Sequence, residues 1–416
     1  MLLLLQVVVI LAFTTAARGG CRRLGQPAVV GEIIAGLLLG PSFLGWIFPD
    51  TFSRLFPPGS LVSLEALSQL GLILFMFVVG IELRATPAQV RRAAAAWVSG
   101  ASIVLPFVLG TAFGVMTHAR LAPVGVSLVS FSLFIGTAMS FTAFPVLARI
   151  LAEQRLMATE LGSMALACAA VNDVTGWLLL GSILALVGGG GAGYVLLRCA
   201  LFGAYLGIML GIVRPWLHRV GPFRGATPGM PPAGLPAALL LLLLSALTTE
   251  ALGVHALFGA FFAGFVIPLD DSGRRALVDR IEPLTLTLLL PMFFALTGLR
   301  TRIGLIEGTR LWTDAALALA LAILGKAGGS TLAARAAGMR WRDATALGIL
   351  VNTRGLIELV ALNVGLELGI LSPVVFTMLV MMALVTTFMT SPLLTRLLPE
   401  SDPSRDPAPV SASSRR

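Results

Sequence analysis

Charge is what this sequence lacks most. Asp, Glu, Lys and Arg make up 12% of its 416 residues, against about 25% in an ordinary soluble domain, while 57% of the residues are hydrophobic. This composition predicts an integral membrane protein. The formal net charge of +9 does not indicate nucleic-acid binding, because the basic residues cluster in short loops between apolar runs, as membrane topology requires. No nucleic-acid partner is expected.

Cysteine and histidine are also scarce. The three cysteines, Cys21, Cys168 and Cys199, are scattered through apolar sequence, so they indicate neither a disulfide framework nor a metal cluster. The three histidines have no ligand-like spacing. We therefore predict no catalytic residue and no cofactor, and the sequence does not indicate an enzyme.

Long apolar runs, by contrast, fill the chain. A helical run of about 20 apolar residues crosses about 30 Å of hydrocarbon. The sequence predicts thirteen such spans, at 2–17, 28–47, 64–82, 93–116, 125–148, 160–187, 192–213, 236–252, 254–269, 283–299, 312–334, 344–366 and 372–395. The division of residues 235–269 into two spans rests on the polar residues of "TTEALGVHA". A single helix there would invert the second half of the protein.

The basic residues lie mostly on one side of these spans. Of the 29, 21 lie in one set of loops and tails and five in the other; the remaining three lie within spans. By the positive-inside rule the larger set is cytoplasmic, so we expect the N-terminus outside and the C-terminus inside, in the cell membrane. The smaller set is Arg54, Arg120, Arg300, Arg302 and Arg310.

Two stretches divide the chain. The Gly- and Pro-rich stretch 214–235 is predicted to be a linker between two halves. Residues 400–416 are polar and are expected to form a disordered cytoplasmic tail, which leaves residues 1–399 as one transmembrane domain. Within that domain, Gly36 and Gly40 predict a close contact between helices.

Asp173 is the only charged residue between Leu161 and Val187. At 1.5 Å per residue it lies about 20 Å from either end of its span, near the bilayer midplane. Such carboxylates are functional by default, with a structural hydrogen bond as the alternative. Low dielectric disfavours the ionised form, so we expect Asp173 to exchange a proton and, once ionised, to bind a monovalent cation. A group that holds either ion, but never both, can exchange them.

The preceding span, "GTAMSFTAFPVLARIL", predicts a broken helix. It contains Ser140, Thr142 and Pro145. Proline removes a backbone donor, so helical pairing should fail around Phe141. Carbonyl groups freed at this depth line a cavity or find other partners, and they suit a monovalent cation. An ordinary proline kink is the alternative.

A second break is predicted in "LVNTRGLIELVALNVG". Asn352, Thr353, Arg354 and Gly355 interrupt the span, and Glu358 lies one turn beyond Arg354, able to pair with it. Broken helices at corresponding positions in two halves of a transporter indicate a binding site at the repeat interface. A salt bridge that only joins helices is the alternative.

Lys326 is the only lysine in the protein and lies within a predicted span. A buried ammonium group is able to lose its proton, which arginine does not do. Lys326 therefore suits a group that pairs with a carboxylate and then releases it, with purely structural pairing as the alternative.

These motifs resemble a known family. "GEIIAGLLLGPSFLG", "GLILFMFVVGIEL", "GTAMSFTAFPVLARIL", "AAVNDVTGW", "PMFFALTGL" and "NTRGLIELVALNVGLELGILSPVVFTMLVMMALVTTFMT" are similar to the sodium/hydrogen exchanger family of cation:proton antiporters. The similarity is greatest to its potassium-efflux and plant cation/H⁺ exchanger branch. It extends from about Pro27 to Leu397, with the motifs in order.

The resemblance implies an all-α polytopic fold. Two inverted five-helix repeats would form a core domain with crossed broken helices beside a dimerisation domain, and transport would follow elevator-like alternating access in a homodimer. Asp173 matches the family's ion-binding aspartate, Asn172 the residue before it, Thr142 the threonine of the broken helix, and Lys326 the basic residue near the crossing. The implied partners are H⁺, a monovalent cation (Na⁺ or K⁺) and the lipid bilayer.

One departure concerns stoichiometry. Many bacterial relatives have two aspartates at the positions of Asn172 and Asp173, a pattern associated with electrogenic exchange. The Asn-Asp pair is similar to the electroneutral pattern, although the presence of Lys326 mixes the two. A gated cation channel and a membrane scaffold without transport are the other classes considered. A scaffold leaves the intramembrane Asp, Lys, Arg and Glu unexplained.

Overall fold

The computed structural model describes residues 1–26, 28–83, 92–154, 156–157, 159–187, 192–220, 234–252 and 256–398, and within them every regular element is helical. The α-helices are α1 (Leu2–Arg23), α2 (Ala28–Leu39), α3 (Leu44–Ile47), α4 (Pro49–Leu55), α5 (Leu61–Leu83), α6 (Arg92–Leu121), α7 (Leu128–Ser140), α8 (Phe144–Glu153), α9 (Glu160–Val187), α10 (Ala192–Ile208), α11 (Arg214–Val220), α12 (Gly234–Ala251), α13 (Ala256–Val266), α14 (Asp271–Leu284), α15 (Leu290–Arg300), α16 (Gly308–Ile323), α17 (Gly329–Ala336), α18 (Trp341–Val351), α19 (Leu356–Glu367) and α20 (Pro373–Leu397). The predicted all-α fold is confirmed.

Three π turns join consecutive helices, at Met209–Val213, Thr285–Leu289 and Leu324–Gly328. The first carries the helix beyond the predicted end of its span at residue 213. The prediction of a linker from residue 214 is therefore wrong over Arg214–Val220, where α11 continues. Pro215 closely follows the π turn, and the wider turn accommodates the missing amide donor within a continuous helical run. Residues 221–233 of the predicted linker lie outside the described residues.

Ten helical runs in the described part of the chain are long and apolar enough to cross a membrane. The three predicted spans without such a run are 125–148, 254–269 and 344–366. Two of them consist of paired short helices, α7–α8 and α18–α19, and the third is the 11-residue α13. The division of 235–269 into two helices is confirmed, because α12 and α13 are separate. The protein is a multi-pass membrane protein, and the count of thirteen spans stays a prediction.

Several helices begin at side chains that accept a hydrogen bond from the first turn. The hydroxyl of Ser127 accepts from the amide of Ser130 at 3.0 Å at the start of α7, and the carboxylate of Asp270 accepts from Gly273 at 2.8 Å at the start of α14. Ser372 precedes Pro373 at the first position of α20. These caps satisfy amides that have no partner within the helix.

The chain divides into two compact units. The first comprises Met1–Thr15, Ala35–Thr86 and Trp177–Arg300. Within it, α2 and α15 approach backbone to backbone: a Cβ at Gly36 would lie 2.2 Å from the carbonyl oxygen of Phe294. Only glycine fits at such a contact, so the close approach predicted for Gly36 is confirmed.

The second unit comprises Ala16–Ile34, Pro87–Gly176 and Thr301–Arg416. It contains α6, α7, α8, most of α9 and the helices from α16 to α20. Its core includes the fully or almost fully buried side chains of Phe131, Phe134, Leu350, Phe376 and Leu379. Every residue predicted from the sequence to serve the ion site lies in this unit. Residues 400–416 lie outside the described part of the chain.

Candidate ion-binding site

Asp173 lies in the middle of α9, on a helix that runs unbroken from Glu160 to Val187. The residue is 1% exposed. Both carboxylate oxygens are buried, and neither has a hydrogen-bond partner among the described residues. The backbone amide of Phe144, the first residue of α8, lies near the carboxyl group but does not meet the geometry of a hydrogen bond. A buried carboxyl group of this kind is stable only as the neutral acid or with a bound cation.

Asn172 is held by two hydroxyl groups. Its Nδ2 donates to Thr142 Oγ1 at 2.8 Å and to Ser102 Oγ at 2.9 Å. The one proton of the Ser102 hydroxyl is shared between Ser99 O at 2.8 Å and Asn172 Oδ1 at 3.1 Å. These bonds fix α9 to α6 and to the segment between α7 and α8, so they set where the next residue, Asp173, presents its carboxyl group.

The first predicted break is present. α7 ends at Ser140, the backbone of Phe141 is extended, and α8 begins at Phe144. Pro145 is the second residue of α8, where its missing amide donor costs nothing, and it disfavours a helical residue before it. The Ser140 hydroxyl bonds back to Gly136 O at 2.8 Å, within α7. The side chain of Pro145 lies outside what the structure describes.

The second predicted break is also present. α18 ends at Val351 and α19 begins at Leu356. Asn352 is 2% exposed, and its Oδ1 has no hydrogen-bond partner in the described structure. A Cβ at Gly355 would lie 2.7 Å from Val146 Cγ2 in α8. The glycine therefore permits a close approach between the two broken helices.

The two breaks touch at their unwound segments. Thr142 Oγ1 donates to Val351 O at 3.1 Å, and the amide of Ala143 donates to Thr353 O at 3.2 Å. Each break thus satisfies backbone groups that the other leaves unpaired, as membrane-embedded backbone requires. The predicted crossing of two broken helices is confirmed.

Arg354 joins the second break to the end of α7. Its guanidinium donates to Met139 O at 2.7 Å and to Ala138 O at 3.3 Å. It also forms the predicted ion pair with Glu358, with Nη1 and Oε1 3.0 Å apart and both side chains fully buried. A cation at a helix C-terminus neutralises the partial negative charge of the last carbonyls.

Lys326 completes the same cap. It lies in the π turn Leu324–Gly328 and is fully buried. Its ammonium donates to Ser140 O and, at 3.2 Å, to Ser102 O. Within the described residues it forms no ion pair with a carboxylate, so its direct partners differ from the prediction. Asp173, Glu358 and Arg354 nevertheless lie within its electrostatic reach.

Two contributors were not predicted from the sequence, Ser102 on α6 and Thr387 on α20. Ser102 bonds Asn172 through its hydroxyl and Lys326 through its carbonyl. Thr387 bonds the backbone of Arg354. The signal available was a hydroxyl residue inside an apolar helix, which is too common in membrane helices to identify either residue.

The proteins that this chain resembles are cation/proton antiporters, which agrees with a buried carboxylate beside two broken helices. The model of the family "Sodium/hydrogen exchanger, transmembrane" matches residues 8–398. The chain is 40% identical over 409 residues to the Na(+)/H(+) antiporter NhaS4 of Synechocystis, covering 96% of this chain and 98% of that protein. It is 39% identical over 397 residues to Cation/H(+) antiporter 17 of Arabidopsis thaliana, covering 94% of this chain and 48% of the plant protein.

A solved structure shares the fold. The sodium proton antiporter MjNhaP1 from Methanocaldococcus jannaschii matches with a TM-score of 0.63 at 15% sequence identity, covering 95% of this chain and 97% of the other. At 15% identity the match shows that the arrangement of helices is shared, and it does not indicate which ion is transported.

Proposed function

Because the chain belongs to the sodium/hydrogen exchanger family, we propose that it is a secondary antiporter that exchanges a monovalent cation, Na⁺ or K⁺, for H⁺ across the membrane by alternating access. Asp173 carries the proposal. Its two buried oxygens have no hydrogen-bond partner among the described residues. A proton or a cation must therefore compensate the charge of the ionised form.

The exchange cycle follows from this single group. When Asp173 faces the more acidic side it takes a proton, and when it faces the other side it releases the proton and takes a cation through the same oxygens. The two ions compete because one carboxylate does not hold both. Thr142 Oγ1 and the Asn172 side chain, which are bonded to each other at 2.8 Å, fix the geometry around Asp173. We do not propose a channel, because the relatives are named antiporters and a single site that holds one ion at a time couples the movement of the two ions.

Stoichiometry is proposed to be one cation for one proton. Asn172 is neutral, so Asp173 alone changes its occupant. Lys326 and Arg354 supply two positive charges, and their donors are bonded to carbonyl oxygens of Ser102, Ala138, Met139 and Ser140. We infer that both charges stay fixed through the cycle. In each half of the cycle one monovalent ion cancels the charge of Asp173, so no net charge crosses the membrane and transport is electroneutral.

The remaining features are proposed on the sequence and the family. The excess of arginine in one set of loops favours the cell membrane, with the N-terminus outside and the C-terminus in the cytoplasm. We propose residues 1–399 as the exchanger domain, residues 400–416 as a cytoplasmic tail, and a homodimer as the assembly. Cysteine-accessibility labelling at the two termini and mass measurement of the detergent complex test these points.

Proteoliposome exchange tests the proposal. A pH-sensitive dye inside the vesicles should report proton movement when Na⁺, K⁺ or Li⁺ is added outside. We expect Asp173→Asn to reduce exchange to the level of empty vesicles while the protein stays folded, because an amide neither carries a proton nor neutralises a cation. Asp279→Asn, a change at an exposed residue, is the matched control and should exchange normally. Normal rates in Asp173→Asn would refute the mechanism.

A further inference from the structure

The second break depends on one hydroxyl group of a neighbouring helix. Arg354 lies between α18 and α19, so its backbone N–H and C=O belong to neither helical ladder. Thr387, in the middle of α20, serves both groups. The Arg354 amide donates to Thr387 Oγ1 at 3.2 Å, and the Thr387 hydroxyl donates to Arg354 O at 2.6 Å. Both residues are fully buried.

These two hydrogen bonds give the Arg354 N–H and C=O groups the partners that regular secondary structure would otherwise provide. A buried backbone group without a partner is costly, so the hydroxyl stabilises one conformation of the unwound segment. The side chain of Arg354 starts from that backbone. Its guanidinium reaches Ala138 O, Met139 O and Glu358 from there.

The segment between α18 and α19 also contacts the first break, next to the proposed cation site. Val351 O and Thr353 O accept from Thr142 Oγ1 and the Ala143 amide. Thr142 in turn accepts from Asn172, which precedes Asp173. A shift of the segment at Arg354 therefore reaches Asn172 through these hydrogen bonds, and it reaches Asp173 through the backbone that joins the two residues.

We propose that Thr387 is a positioning residue for ion exchange, which holds the unwound backbone at Arg354 and thereby sets the geometry of the site around Asp173. The inference rests on the proposed exchange function. Thr387 itself is not assigned to the ion, because its hydroxyl oxygen accepts from the Arg354 amide and its one proton is shared between Arg354 O at 2.6 Å and Ala383 O at 2.8 Å.

The neighbouring threonine provides a matched control. Thr386 is also fully buried, but among the described residues its hydroxyl donates only within α20, to Met382 O at 2.9 Å and Ala383 O at 3.1 Å. Thr386→Val and Thr387→Val remove the same hydroxyl from adjacent positions. Thr387→Ser keeps it and serves as the rescue.

Two measurements on the full-length protein test the proposal. The first is hydrogen–deuterium exchange of the peptide containing the Arg354 amide, which does not depend on transport. We expect faster exchange in Thr387→Val, and wild-type rates in Thr386→Val and Thr387→Ser. Thr387→Cys, with a weakly bonding thiol, replaces Thr387→Val if that variant does not fold.

The second measurement is cation-driven exchange in proteoliposomes. Thr387→Val should raise the cation concentration for half-maximal rate about tenfold, since the variant must order the unwound backbone when the cation binds, at about the cost of one unpaired buried group. The maximal rate should change by less than about twofold if only binding geometry is lost. Because the proton competes with a more weakly bound cation, the acidic limb of the pH profile should move up by about one pH unit.

The outcomes separate the two ideas. If the wild type shows no exchange with any cation, the proposed function fails, and the deuterium measurement still decides the backbone contact. If the wild type exchanges and Thr387→Val matches Thr386→Val in both measurements, the positioning role is wrong. Equal loss in Thr387→Val and Thr387→Ser would also overturn it, because the hydroxyl would then not be the cause.

Discussion

The two broken helices solve the same backbone problem with different chemistry. At the first break the carbonyls at the C-terminus of α7, from Ala138 to Ser140, accept hydrogen bonds from two cationic side chains, Arg354 and Lys326. At the second break the carbonyls of Val351 and Thr353 are bonded by neutral donors, the Thr142 hydroxyl and the Ala143 amide.

This difference indicates where charge is needed. Asp173 lies opposite the start of α8, at the first break. Fixed positive charges there compensate the C-terminus of α7, in a medium that screens charges poorly, while a proton or a cation neutralises the carboxylate itself. The second break supports that arrangement and carries Arg354 to it. Mutations at the first break should therefore cost more than mutations at the second.

The largest effect is expected at Arg354. Arg354→Gln removes the ion pair with Glu358 and the donors to α7, and it leaves a buried carboxylate uncompensated, which costs about 3–5 kcal/mol. Thermal unfolding in detergent should show a strongly destabilised protein. Adding Glu358→Gln should recover a large part of the loss.

A partly exposed ion pair in the same unit gives the control. Arg120 and Asp314 are bonded at 2.8 Å, but the Arg120 side chain is 32% exposed. Asp314 is itself largely buried, but water reaches the Arg120 end of the pair, so Arg120→Gln should cost about 1.5–3 kcal/mol, less than Arg354→Gln. Equal stability of Arg354→Gln and Arg120→Gln would contradict the view that the first break depends on buried charge.

Lys326 should have an intermediate effect. Lys326→Gln keeps a donor for Ser140 O and Ser102 O but removes the charge, so we expect a loss of about 1–3 kcal/mol and altered exchange rates. Lys326→Arg keeps the positive charge but changes the shape of the side chain, so it shows which of the two properties exchange depends on.

Charge movement gives Lys326 a sharper test. Solid-supported-membrane recordings on wild-type proteoliposomes should show no cation-dependent current, because one cation replaces one proton. A transient current in the wild type that disappears in Lys326→Gln would mean that the lysine releases a proton during the cycle, and the one-for-one proposal would be wrong.

The smallest effect is expected at Thr353. Its hydroxyl lies 3.4 Å from Thr390 Oγ1, at the limit of a hydrogen bond. Thr353→Val should change the free energy of unfolding by about 0.5 kcal/mol or less. Thr142→Val should cost more, since Thr142 Oγ1 serves both Asn172 and Val351. A larger loss in Thr353→Val than in Thr142→Val, measured by thermal unfolding, would reverse the ranking of the two breaks.

The features of this site that could be predicted from the sequence are those set by interactions between residues close together in the chain. The break before Pro145 follows from a missing amide donor, and the interruption at "NTRG" from a polar cluster in an apolar run. The pair of Arg354 and Glu358 follows from helical spacing. Ser102 and Thr387 were not predictable, because their partners lie 70 and 33 residues away and nothing in the local sequence marks them.

The sequence by itself determined that the protein lies in a lipid bilayer, where most of its membrane-spanning segments are, and which charged residues lie within them. Apolar runs of spanning length require a bilayer, and a carboxylate at the middle of one of them requires a partner. Tertiary structure alone decided which partners meet. Lys326, expected to pair with a carboxylate, bonds instead to the carbonyls of Ser140 and Ser102, because the end of a broken helix offers acceptors that only the crossing of the chain brings within its reach.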